Sequence, residues 1–177
     1  MNLTPEDKRL ITRRIIYGIL LVIAAVLQNT PRAFFEPFGL RQLSVVTLVV
    51  CIAMTERELH GMILGLIAGL TLDITGGTTG INAIMLTIIG YVCGILVHSI
   101  IRNNLVTVLI FSSLSLFLFV DIYWLVTVVF AGIHPAFSVL LKFYWPSFLY
   151  TAVFIPIWFY IVRAIYKIFP NDPRRSV

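Results

Sequence analysis

Charged residues are scarce in this chain: they make up 12% of 177 residues, against 59% that are hydrophobic. A soluble domain of this length is usually about a quarter charged and under half apolar. So much apolar surface cannot be buried in one small core, which excludes a water-soluble globular domain and assigns the excess to the lipid bilayer. The length leaves room for one compact bundle and for no sizeable soluble domain. Cysteine is nearly missing. Cys51 and Cys93 lie inside apolar runs, far apart and outside any CxxC or Cys/His cluster, and read as small packing residues rather than metal or redox groups.

Other absences narrow the chemistry. The three histidines, His60, His98 and His134, form no HExxH and no His/Cys ligand spacing. Ser112, Ser113 and Ser115 have no evident base, and hydroxyls in membrane helices usually bond back to their own backbone. The stretch 72–82, LDITGGTTGIN, has the glycines of a phosphate loop but not the lysine a Walker loop requires, and no GxGxxG. The reading is therefore no enzyme, no cofactor and no metal. Net charge is +5, from 13 Lys+Arg against 8 Asp+Glu, but the cations sit in short clusters between apolar runs rather than in one patch. That pattern signals membrane topology and not nucleic-acid binding.

What is present is a series of six apolar segments, at roughly 13–29, 43–55, 59–74, 81–101, 105–132 and 142–168, to be set against the ~20 residues a helix needs to cross the hydrocarbon. The fold class expected is all-α, a compact bundle of about six transmembrane helices. Residues 1–12 and 169–177 form tails around one membrane domain, 13–168. The second segment is short and ends at Thr55-Glu-Arg-Glu58; it either extends back through Phe38 or sits inside the bundle. Lys8, Arg9, Arg13 and Arg14 precede the first run as in a signal sequence, yet no small-x-small site follows, so it reads as an uncleaved first helix. With both termini cytoplasmic, ten cations (Lys8, Arg9, Arg13, Arg14, Arg57, Arg102, Arg163, Lys167, Arg174, Arg175) fall inside and three (Arg32, Arg41, Lys142) outside, the bias the positive-inside rule demands. Phe34, Phe35, Phe38, Tyr144 and Trp145 then lie at the outer interface and Tyr166 at the inner one.

Glycine is placed with purpose. Gly61, Gly65 and Gly69 recur every four residues and form one smooth helical stripe, and Gly90 and Gly94 do the same in the next span. In lipid, small residues let backbones approach where hydrophobicity cannot drive association. The stripe meets either another helix of the chain or a second subunit, intrachain packing being the commoner case. Between the two spans stands Asp73, at the carboxyl end of a helix where the macrodipole disfavours it. Two roles fit it: a brace that accepts backbone N–H groups in a turn eased by Gly76, Gly77 and Gly80, or a partner- or ion-binding carboxylate. Asp121, inside LFLFVDIYWLV and roughly 24 Å along the helix from Leu105, is an intramembrane acid and so a functional candidate or a structural ion-pair member. Arg32, Arg41, His134 and Lys142 could pair with it. Pro146 and Pro156 can bend the last span.

Residues 61–94, GMILGLIAGLTLDITGGTTGINAIMLTIIGYVCG, resemble the rod shape-determining protein MreD family. The resemblance rests on a glycine-spaced helix, an acidic turn, Gly-h-Asn-Ala and an apolar helix ending in GYhhG, here Gly65, Gly69, Asp73, Gly76, Gly80, Asn82, Ala83, Gly90, Tyr91 and Gly94. It implies a non-enzymatic scaffold of the bacterial cell-elongation machinery in the inner membrane, associated with an MreC-like bitopic protein, the actin-like MreB, RodA and a class B penicillin-binding protein. It implies also a helix arrangement similar to the substrate-binding subunits of energy-coupling-factor vitamin transporters. That similarity supplies the alternative reading, a membrane solute-binding subunit, which would recruit Arg32, Arg41, Trp124, His134 and Trp145 to an enclosed pocket.

Overall fold

The computed structural model describes residues 5–30, 42–56, 58–99, 104–132 and 134–169. Among them are six helices and no strand: α1 (Pro5–Asn29), α2 (Ser44–Ala53), α3 (Glu58–Gly76), α4 (Ile81–Ser99), α5 (Leu105–Val129) and α6 (Ala136–Ile168). The last turn of α5, Leu125–Val129, and the stretch Leu140–Tyr144 of α6 are π-helical. The first helix starts at Pro5, ahead of the expected boundary at 13, because no breaker stands between Pro5 at its first position and the apolar run. Four helices, α1, α3, α5 and α6, are long and apolar enough to cross a membrane; α2 and the apolar part of α4, Ile81–Leu96, are shorter.

The second segment sits inside the bundle. Its ten residues, SVVTLVVCIA, are all buried, packed among α1, α3, α4, α5 and α6. Ten residues span about 15 Å, half of a ~30 Å hydrocarbon core, so α2 cannot span it alone. A helix ending inside a bundle exposes N–H groups that water cannot reach. Neighbouring helices supply the acceptors: Gln28 Oε1 takes the N–H of Val45 at 3.1 Å, and Thr151 Oγ1 takes that of Leu43 at 2.9 Å. The apolar core thus centres on α2, with Leu21, Leu48, Ile52, Leu86, Leu116 and Ile155 among the fully enclosed side chains. Cys51 and Cys93 are buried free thiols within it.

The two ends of the bundle are set by side-chain contacts. At one end, Arg13 of α1 donates through Nη1 to the carbonyl of Phe169 just past α6, at 2.6 Å, so the first helix begins where the last one ends. At the other, Asn29 at the end of α1 donates through Nδ2 to Thr75 Oγ1 (2.6 Å) and to the carbonyl of Leu72 (3.3 Å) on α3. The segment 31–41, expected at the outer face, with Arg32, Phe34, Phe35, Phe38 and Arg41, lies outside the described residues, as do Arg57, Arg102, Arg174 and Arg175.

Candidate functional site

The α3–α4 hairpin is built on backbone contact. A Cβ on Gly61 would lie 2.7 Å from the carbonyl oxygen of Gly90, and one on Gly94 would lie 2.6 Å from Cα of Glu58. Added to Gly65 it would collide with the Leu86 carbonyl, to Gly69 with Cα of Ala83, and to Gly90 with the Gly61 carbonyl. The stripe therefore meets the next helix of the same chain along its whole length. A side chain at any of these five positions would force the helices apart.

The turn that closes the hairpin is fixed by Asp73. Its helix ends in a Schellman arrangement: Gly77 adopts φ +65°, and the N–H of Thr78 bonds to the carbonyl of Asp73 at 3.0 Å. Gly80 follows with φ +86°, while Gly76 remains helical. This brings the Asp73 carboxylate, 6% exposed, against the start of α4. Its Oδ2 accepts the N–H of Ala83 at 2.8 Å, and its Oδ1 accepts Asn82 Nδ2 at 3.0 Å, the N–H of Asn82 at 3.3 Å and the hydroxyl of Thr78. Asn82 Nδ2 also donates to Thr78 Oγ1 at 3.0 Å. A carboxylate disfavoured by the end of its own helix is thus compensated by the amino end of the next, where orphan N–H groups and the dipole favour negative charge. These are the local donors that a brace requires.

Asp121 is half-buried on α5, and no hydrogen bond or ion pair joins its side chain to a described residue, His134 and Lys142 included. Arg32 and Arg41 lie outside the described residues. The acid sits four residues from Phe117 and Leu125 on a face where Ile110, Leu114, Phe117 and Leu125 are all exposed.

An ionic cluster at the terminal end escaped the sequence reading. Arg13 is fully buried, and its Nε and Nη2 both reach Glu56 Oε1 at 2.6 Å. The guanidinium also lies 5.0 Å from the ring centre of Tyr166, and Arg14 Nε stands 3.6 Å from Glu56 Oε2. These contacts tie α1, the α2–α3 turn and α6 together. The available signal was Glu56 itself, an acid between two apolar helices with two arginines in the opening turns of α1; a separation of 43 residues concealed the pair.

At the opposite end a cleft of about 440 Å³ opens between α1, the hairpin turn, α5 and α6. Apolar groups such as Leu72, Phe119 and Phe143 line it together with the uncharged polar residues Gln28, Asn29, Asn82 and Tyr144. Trp124, His134 and Trp145, grouped above as pocket residues, are not among its lining: Trp124 Nε1 instead bonds the carbonyl of Ala136 at 3.0 Å, closing the α5–α6 loop.

A helical bundle with four membrane-length helices, a buried half-length helix and a glycine-packed hairpin braced by one carboxylate defines a multi-pass membrane protein with its signature loop in a structural arrangement. The family model of the rod shape-determining protein MreD matches residues 8–169, and the chain belongs to that family of bacterial membrane proteins that determine cell shape. No curated protein and no solved structure matches it.

Proposed function

We propose that the chain is a non-enzymatic scaffold of the cell-elongation complex in the bacterial inner membrane, with both termini cytoplasmic. It organises lateral peptidoglycan synthesis by holding an MreC-like bitopic partner, and through that partner MreB, RodA and a class B penicillin-binding protein. The observation that carries this reading is the commitment of Asp73. Both carboxylate oxygens are taken up by donors of the chain's own next helix, so the loop that closes the α3–α4 hairpin holds a shape instead of offering a reactive group. Gly61, Gly65, Gly69, Gly90 and Gly94, with Gly76, Gly80 and Asn82 at the turn, act as its structural frame.

Asp121 is the partner-facing group in this scheme. An acid beside an exposed apolar face is costly in lipid and is relieved by a cation or amide donor from another helix. That donor belongs to the bitopic partner; a second copy of the chain is the other occupant the face allows. Asp121→Asn removes the charge with little change of volume. Membrane insertion stays intact, while recovery of the partner falls and cells depending on the variant lose rod shape. Normal morphology with normal partner recovery would remove Asp121 from the interface.

The outer cleft favours the second reading, a solute-binding subunit, because uncharged hydrogen-bonding groups converge on an apolar hollow there. Under that reading the purified protein carries a stoichiometric small molecule.

A further inference from the structure

A second, smaller cleft of about 320 Å³ lies at the terminal end of the bundle, walled by Met54, Thr55, Phe159, Arg163 and Tyr166. From this geometry we infer that it is a seat for the phosphate of an anionic phospholipid, with Arg163 as the principal ligand.

Arg163 lies over the Phe159 ring, 5.6 Å from its centre, and forms no ion pair among the described residues. Behind Tyr166 stands Arg13, which with Arg14 contacts the carboxylate of Glu56. The other described carboxylate at this end, Glu58, forms no ion pair with them, its backbone packed against Gly94 of α4. Among the described residues, Arg163 is thus a cation lining a small hollow with no carboxylate against it. Arginine's planar fork suits phosphate oxygens.

The depth and flanks suit a lipid better than a soluble anion. At 33 residues α6 outruns a ~30 Å hydrocarbon core, and Arg163, about 8 Å short of its end, is assigned here to the headgroup level. Along the same helix, Val153, Ile157 and Tyr160 are strongly exposed and lead up to Arg163, with exposed Lys167 one turn beyond. Residues spaced by three and four share a face, so an acyl chain would run along 153–160 and its phosphate would reach 163 and 167. Basic pockets between membrane helices bind anionic headgroups on these terms. The inference does not depend on the scaffold reading.

Native mass spectrometry of the detergent-purified full chain tests it, with phosphatidylglycerol and phosphatidylethanolamine of identical acyl chains as probes. Retention of phosphatidylglycerol should exceed that of phosphatidylethanolamine by about fivefold, the equivalent of about one basic residue near a membrane surface. Arg163→Gln should abolish the difference, Arg163→Lys should keep part of it, and Arg9→Gln, an exposed cation that does not line the cleft, should leave it unchanged. Equal retention of the two lipids, or an Arg163→Gln protein that still prefers phosphatidylglycerol, would overturn the proposal. Displacement of phosphatidylglycerol by millimolar inorganic phosphate would overturn the lipid assignment in favour of a soluble anion.

Discussion

Asp73 and Arg13 are each an ionised group withdrawn from water, and the chain compensates them by different means. Asp73 is surrounded by short-range donors from within ten residues, so its support is local. Truncation to Ala leaves the amino end of α4 without its acceptors and is expected to cost about 1.5–3 kcal/mol, the range for hydrogen bonds to a charged group. Thermal unfolding of the purified variant measures this; an unchanged midpoint would mean that the turn does not need its carboxylate. Arg13 depends instead on long-range partners, Glu56 and the Phe169 carbonyl. Replacing Glu56 with Gln strands a buried cation, for which breaking a buried pair typically costs about 3–5 kcal/mol. Arg14→Gln, which removes a longer contact from a side chain 35% exposed, should cost under about 1 kcal/mol. Unfolding titrations in SDS distinguish the two, and equal costs would contradict the assignment of Arg13 as the principal partner. This contrast also explains what was legible. Asp73 could be read because its donors lie in the same short motif, whereas the Arg13–Glu56 pair joins residues whose local sequences carry no mark of each other.

At the scale of elements, the hairpin and α2 differ in the same way. The four-residue glycine period announces a smooth helix face, and the contact it predicts is the one formed by α3 and α4. Gly65→Ala is expected to splay the pair, because the new methyl meets the Leu86 backbone and not a side chain that can turn aside; overpacking of this kind costs about 1–3 kcal/mol. Gly18→Ala is the control, since its methyl would meet Leu64 Cδ2 at 3.8 Å, an ordinary contact, and should change stability by under about 0.5 kcal/mol. If both variants unfold at the same point, the stripe is not the tight seam described. For α2 the sequence offered only a short, uniformly apolar run, and such a run has no face by which to tell burial from spanning. Its position follows from Gln28 and Thr151, acceptors on distant helices that no local pattern reveals.

At the scale of the whole molecule, hydropathy sufficed for the class and for most helix positions, since lipid imposes length and apolarity on each span. It could not give the partner surface, because lipid-facing and partner-facing residues are apolar alike; on the exposed face of α5, Asp121 breaks that uniformity. The central claim is that the bundle works by holding a bitopic partner and not by enclosing a solute. Co-purification of the intact protein from native membranes tests it most directly. The scaffold account predicts stoichiometric recovery of an MreC-like protein, reduced in Asp121→Asn. Recovery of a stoichiometric vitamin together with transporter ATPases, and no such partner, would contradict it.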